Sequence, residues 1–362
     1  MVVPDYRGPC LSNVVPALLA RDHGLPAWFP ADAGATQVVL LVLDGLGWAQ
    51  LRERVASART LAGMTGGPIS SVVPSTTAAA LTSIATGVPP ARHGVVGYRV
   101  KVGPGLVMNV LRWVTAQGDA RVAVPPDEFQ PIEPFAGSRP AVVTRAEFRD
   151  GGFSIAHLHG TRLHGWQTTS TLVTNVRVLL EAGERFVYAY YDGIDKVAHA
   201  FGLGEHYEAE VRATDRLVDD LLAVLPSDAA LVVTSDHGQV DVGRNVVGLH
   251  DDVMARTTLL SGEGRFRWLH ARAGAADRLA EVTRERHGHQ AWVRTRDEAV
   301  AEGWFGGELS RAAESRLGDV VLAASEPVAF LDPADVAEAR MISRHGSLTP
   351  AEMWVPLLVA RT

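Results

Sequence analysis

The chain has 362 residues, 47% of them hydrophobic and 21% charged, with a formal net charge of −7. That is the balance of a globular protein with ample core, and its sign argues against a broad nucleic-acid surface. One cysteine, Cys10, excludes a disulfide within the chain and a thiolate metal cluster, and no apolar run approaches the roughly 18 residues of a membrane span. The N-terminal MVVPDYRGPC has no basic stretch leading into an apolar one, so no signal peptide is expected and a cytoplasmic location is. Lys101 and Lys196 are the only lysines among many arginines, a bias we read as compositional, and 13 histidines offer metal ligands.

Residues 1–34 mix proline, glycine and short apolar segments, with a short helix expected over Val14–Ala20. Val38–Leu43 is an unbroken apolar run, the pattern of a strand buried on both faces. It ends at Asp44 and Gly45, where open α/β sheets place their ligand sites, although Asp44 alone could equally cap the helix expected over Leu46–Val55. Ile69–Pro74 reads as a short strand feeding Ser75, Thr76 and Thr77. These hydroxyls open a helix over Ala78–Ala85 that stops at Gly87, and a helix N-terminus favours an anion. One hydroxyl suffices as a cap; three are more than a cap needs.

His93 reads as a structural loop histidine. Tyr98–Asp150 reads as irregular and proline-rich, passing over the site. Phe153–Leu158 reads as a strand carrying His157, with His159 and His164 close by as pocket or structural residues. Ser170–Ala182 is a helix and Phe186–Tyr191 a strand that runs into Asp192, Asp195 and His199. Asp195 and His199 are four apart and face one way on a helical turn, able to reach one metal or simply to pair with each other. Glu205–Leu225 is an amphipathic helix. Ala229–Thr234 is another buried strand, ending in Ser235-Asp236-His237-Gly238. Residues 257–330 read as an accessory αβ segment without a ligand cluster. His345 sits in a glycine-containing loop before the apolar run Met353–Ala360, where Pro356 marks an edge strand or a strand boundary.

Asp44, Thr77, Asp195, His199, Asp236, His237 and His345 together offer three carboxylates, three imidazoles and one hydroxyl. Two divalent cations sharing oxygen and nitrogen ligands would use them all. A mixed Asp/His set suits zinc, with manganese second. Such a pair can clamp an in-line phosphoryl displacement.

In order along the chain, LVLDGLG, PSTTAAALTSIATGVPPARHG, YYDGIDKVAHAFG, TSDHGQ and RHGSLTPAEM resemble the alkaline phosphatase superfamily, nearest its type I phosphodiesterase/nucleotide pyrophosphatase branch. The resemblance implies one α/β domain over 1–362 with a mostly parallel central sheet, helices on both faces, a substrate-pocket insertion at 98–165 and the accessory segment at 257–330. It implies that Asp44, Thr77, Asp236 and His237 bind one zinc and that Asp195, His199 and His345 bind the other. Thr77 would be the nucleophile, with Thr76 its rival; Asp192 rivals Asp195 but lacks the DxxxH spacing. Phosphodiesterase relatives often carry an asparagine three residues after the nucleophile to hold a phosphate oxygen, and here that position is Ala80. The CxPxR-like motif of sulfatases is absent.

The expected activity is hydrolysis of a small phosphorylated substrate, a diester before a monoester. The alternatives are phosphonate hydrolysis, phosphomutase chemistry, or a scaffold that binds metal without catalysis. No nucleic-acid or membrane partner is expected, and the sequence leaves the oligomeric state open.

Overall fold

Strand β1, Gln37–Leu43, occupies the valine-rich run and is buried on both faces. In a computed structural model describing residues 1–335 and 338–361, its alternate side chains feed two separate cores. Residues 336, 337 and 362 lie outside the described residues. Val38, Leu40 and Val42 pack on one side of the sheet and Val39, Leu41 and Leu43 on the other. Full burial of each such side chain contributes about 1.5–3 kcal/mol.

Among the described residues the central sheet has seven strands. After β1 come β2 (Thr65–Ser70), β3 (Ala141–Arg145), β4 (Arg162–Trp166), β5 (Phe186–Tyr191), β6 (Ala229–Thr234) and β7 (Trp354–Arg361). Their spatial order is β2-β7-β6-β1-β5-β3-β4. Only β7 runs antiparallel to its neighbours. The helix Thr77–Thr86 covers one face with Ala78, Leu81 and Ile84. Thr169–Glu181 and Glu205–Ala223 cover the other, through Leu172, Val176, Val211 and Val218. The α/β class with a mostly parallel sheet and helices on both faces is therefore as expected. Among the described residues, no helix is long and apolar enough to cross a membrane.

Residues 257–330 contribute a second, four-stranded antiparallel sheet. Phe266, Trp268, Val321 and Ala323 on one of its faces join the core beside the central sheet. Leu269, Val320 and Leu322 on the other pack under the helix Ala276–His287.

Three local expectations are corrected. Phe153–Leu158 is not a strand: Gly152–Leu158 is a helix. Residues 98–150 are not irregular, for they hold a four-stranded antiparallel ribbon between Arg99 and Asp119, and β3. The stretch 98–165 thus divides into an appended ribbon and two strands, β3 and β4, integral to the central sheet. Pro356 does not mark an edge strand, because β7 lies inside the sheet. Pro356 faces Pro68 of β2, ahead of the segment from Leu357 onward that also pairs with β6. Neither proline has an amide to lose there.

Candidate active site

The carboxyl ends of β1, β5 and β6 converge, and each delivers an acidic residue. Asp44 follows β1, with its amide donating to the Tyr191 carbonyl (2.9 Å) and its own carbonyl accepting from the Asp195 amide (3.1 Å). Gly45 turns with φ of 79°; a Cβ there would come within 3.0 Å of the Asp195 backbone, so the close approach of the two strand ends requires glycine. Asp195 and His199 lie on the helix Gly193–Phe201 that continues β5. Asp236 and His237 follow β6, and His345 comes from the loop that precedes β7.

The three imidazoles are oriented alike. Nδ1 donates to a backbone carbonyl in each: His199 to Ser343 (2.7 Å), His237 to Gly238 (3.0 Å) and His345 to Ser75 (3.0 Å). That bond fixes the tautomer and leaves each Nε2 as a lone-pair donor. The Nε2 atoms face the carboxylates: His199 to Asp195 at 3.3 Å, His345 to Asp195 at 3.8 Å, and His237 to Asp44 at 3.4 Å and Asp236 at 3.3 Å. The His237 and His345 rings stack with centroids 3.4 Å apart.

Two ligand groups result. Asp195, His199 and His345 form one; Asp44, Asp195 and His237 form the other, with ligand atoms in each within 4.8 Å of one another. Asp195 thus reaches both groups, whereas the resemblance assigned it to one. Asp236 stands beside the second. Its Oδ1 accepts from the Gly45 amide (3.1 Å) and its neighbour's amide (3.0 Å), while Oδ2 has no partner.

Asp44 is only 2% exposed, and its Oδ1 is likewise without a partner. Burial, then Asp236 and Asp195, push its pKa well above the usual carboxylate range. Burial, then the His237 and His345-facing His199 rings, hold the His345 imidazole well below its ordinary value. Crowded carboxylates with orphaned oxygens, facing imidazole Nε2 atoms, suit a divalent cation. The donor set fits the group.

Thr77 is the first residue of its helix, and its Oγ1 lies 3.1 Å from His237 Nε2. Thr76 is the N-cap, makes no side-chain cap bond, and stands beside the buried Glu263 carboxyl. Asp192 is held by Arg145 Nε (2.6 and 2.8 Å) and Lys196 Nζ (2.6 Å), and belongs to neither ligand group. Ala80 is buried in the helix and offers no polar group. His93 is structural: Nδ1 accepts from the Val95 amide, so Nε2 carries the hydrogen it gives Ser83. His157, His159 and His164 join neither ligand group.

Two supporting residues escape sequence reasoning. The Tyr190 hydroxyl donates to Asp44 Oδ2, and Gln239 Nε2 donates to Asp195 Oδ1 at 2.6 Å. Both stand inside motifs that carry the resemblance, YYDGID and TSDHGQ, which was the available signal. Beside Asp44, Thr77 and Asp195 opens a cavity of 540 Å³, walled in part by Phe148, Phe153 and Leu158.

The family model for type I phosphodiesterase / nucleotide pyrophosphatase matches residues 38–348. No curated protein matches the chain. Among solved structures, murine ectonucleotide pyrophosphatase / phosphodiesterase 5 is similar over 89% of this chain and 87% of its own, with a TM-score of 0.65 at 14% identity. An inactive threonine-to-alanine form of that protein is in complex with AMP. Phosphonoacetate hydrolase from Sinorhizobium meliloti 1021, in complex with phosphonoformate, is similar over 90% of both chains, with a TM-score of 0.65 at 19% identity. At these identities the structural likeness establishes the fold.

Proposed function

Because the chain belongs to the type I phosphodiesterase/nucleotide pyrophosphatase family, we propose that it is a metal-dependent phosphoric ester hydrolase acting on diesters through Thr77. Asp44, Thr77, Asp236 and His237 would hold one divalent cation and Asp195, His199 and His345 the other, with Asp195 able to lean toward both. Zinc suits this donor set, with manganese second. When bound, the cations would lower the pKa of a hydroxyl or water and neutralise charge on the phosphoryl oxygens. The observation that carries this reading is the pair of orphaned buried oxygens, Asp44 Oδ1 and Asp236 Oδ2, both facing His237 Nε2 beside the Thr77 hydroxyl.

Thr77 Oγ1 attacks phosphorus; a phosphorus–oxygen bond to threonine forms as the bond to the leaving alcohol breaks, and the threonine proton ends on that alcohol or on solvent. Water then cleaves the phosphothreonine, releasing the phosphoryl product and restoring the hydroxyl. The helix Thr77–Thr86 has no side-chain cap at its N-terminus, so its first amides would be open to a phosphate oxygen in place of a side-chain donor at Ala80. Tyr190 and Gln239 fix the carboxylates of Asp44 and Asp195. Residues 98–165 supply most of the cavity wall and define the substrate.

The test is metal analysis of the purified protein, with hydrolysis of a chromogenic phosphodiester and its monoester by wild type and Thr77→Ala. About two cations per chain, diester cleavage and its loss in Thr77→Ala are expected. Activity surviving in Thr77→Ala would move the nucleophile to Thr76 or to water. Absence of both metal and activity after zinc or manganese is supplied would remove the enzyme reading.

A further inference from the structure

A carboxyl from the accessory sheet lies against the candidate site without belonging to either ligand group. Glu263 ends the strand Thr257–Glu263 and is 6% exposed, and its Oε1 has no hydrogen-bond partner. The cations around it are already paired among the described residues: Arg99 with Asp332 and Asp335, Arg267 with Asp332 and Glu338, and Arg344 with Glu338. Burial, to which Glu338 adds, pushes the Glu263 pKa up to about 8, so the group is mostly uncharged at neutral pH. A buried polar side chain is costly unless its contacts offset the lost hydration, and an apolar residue could fill the same space. Glu263 is therefore not explained as a counter-ion or as packing.

Its contacts lead to the site. Gly346 has φ of 125°, and a Cβ there would meet Glu263 Cγ at 2.8 Å and Oε1 at 3.0 Å, so the backbone at Gly346 packs directly on this carboxyl. Thr76 and the Tyr98 amide also stand beside it. Thr76 precedes Thr77, and Gly346 follows His345, so one side chain bears on the neighbours of two candidate ligands, one for each cation. The two segments are joined at Ser75. Its amide donates to the Gly346 carbonyl (3.1 Å), its hydroxyl to the Ser347 carbonyl (2.6 Å), and its own carbonyl accepts from His345 Nδ1 (3.0 Å). Those bonds hold Ser75. The Thr76 side chain makes no cap bond, and Glu263 is the group placed to hold it.

We propose that Glu263 is a positioning residue, whose carboxyl bears on Thr76 and Gly346 together and so sets the Thr77 hydroxyl relative to His345. This rests on the reading of Thr77 and His345 given above. The accessory sheet then acts on the chemistry through a residue that touches neither substrate nor cation. Small displacements of a reacting group are expensive: a shift of about 1 Å can cost a rate on the order of 100-fold.

Glu263→Met keeps the volume and removes both oxygens, and Glu263→Gln restores an uncharged polar end of the same shape. Thr76→Val cuts the contact from the other side. In zinc titrations against a chromogenic chelator, Glu263→Met should weaken the cation at Asp195, His199 and His345 about tenfold, and Glu263→Gln should stay within about twofold of wild type. With bis(4-nitrophenyl) phosphate at saturating zinc, Glu263→Met and Thr76→Val should each lower kcat about tenfold with KM nearly unchanged. The double variant should fall no further than the worse single one, because both remove the same contact. A lower unfolding midpoint with wild-type zinc affinity and kcat would make Glu263 a packing residue and overturn the proposal. Losses in Glu263→Gln as large as in Glu263→Met would overturn it too. If Glu263→Met does not fold, Thr76→Val decides, and an unchanged kcat there refutes the proposal. If wild type turns over no phosphodiester with zinc bound, the phosphodiesterase reading fails, and the zinc affinity of Glu263→Met against wild type still settles what Glu263 does.

Discussion

At the scale of single residues, the candidate ligands are held by bonds on the atoms that do not face the site. The rule is the same for all three histidines, whose Nδ1 atoms are committed to carbonyls. Asp236 follows it too, with Oδ1 filled by two amides and Oδ2 left open. Asp195 is the exception, because its support is a side chain and falls on Oδ1, the oxygen that also faces His199 and His345. Gln239 Nε2 donates to Asp195 Oδ1, and the Gln239 carbonyl oxygen in turn accepts from the Ser343 hydroxyl at 3.1 Å. Ser343 also supplies the carbonyl that orients His199, so one short chain of contacts aligns two ligands of the same group. Such outer partners typically govern metal affinity by roughly 10–100-fold. Gln239→Ala should therefore weaken the cation at Asp195, His199 and His345 by that factor and the other, which Asp195 also reaches, by less, as read by competition with a chromogenic chelator. A variant that holds both cations as tightly as wild type would reduce Gln239 to a packing role.

At the scale of elements, strand ends and their acids are legible because the physics is local. An apolar run stopping at a carboxylate and glycine reads the same way at Asp44 and Asp192, and a third ends in Thr234-Ser235 before Asp236, His237 and Gly238. The choice between neighbours is not local. Thr77 rather than Thr76 faces His237, while Glu263 from another sheet stands beside Thr76, and Asp195 rather than Asp192 faces the imidazoles, while Arg145 from β3 holds Asp192. The helix Gly152–Leu158 was misread for a related reason: FSIAHL is too short for periodicity to separate a strand from a buried helix. The helix packs closely on the ribbon, where a Cβ on Gly152 would meet the Trp113 side chain at 2.3 Å. β3 was missed because five residues after Pro140 sit in a proline-rich stretch.

The same non-local logic ties the accessory sheet to the site. Arg265 makes a fully buried, two-point ion pair with Glu352 at 2.7 and 2.9 Å. Glu352 also accepts from the Ser347 amide at 3.0 Å, and its carbonyl accepts from Gly238 at 2.8 Å. One ion pair therefore braces both the His345 loop and the turn after His237. Removing one partner strands a buried charge, so Glu352→Ala should lose about 3–5 kcal/mol in denaturant unfolding. The double variant Arg265→Met with Glu352→Leu should regain most of that stability yet bind metal less tightly, because packing can replace the energy but not the placement. Full recovery of metal affinity in the double variant would show that the brace matters for stability alone.

For the molecule as a whole, the buried histidines outside the ligand groups set a dependence on acid. His93 is fully enclosed, with its pKa pushed down to about 3 by burial and then by the Arg316 guanidinium. His157 is pushed down to about 4, chiefly by burial. Released from the fold, each would titrate near the ordinary value of about 6.5. The unfolded chain then binds more protons than the native one between about pH 6.5 and the depressed values, so stability rises with pH across that window. The contribution of each histidine is fully present above about pH 6.5 and is lost as pH falls toward 4 or 3, by up to about 1.4 kcal/mol per pH unit. Asp44 acts in the opposite sense in metal-free protein, since its raised pKa favours proton uptake by the native state, and a bare stability profile mixes the two. The difference between wild type and His93→Gln isolates one histidine, because glutamine keeps a hydrogen-bonding group near Ser83 without titrating. Between pH 6 and 4.5 the unfolding free energy of wild type should fall more steeply than that of His93→Gln, by about 1 kcal/mol per pH unit. Parallel slopes for the two proteins would mean that His93 takes up a proton inside the fold, and that the enclosure formed by Ser83, Val95 and Arg316 opens before the rest of the molecule unfolds.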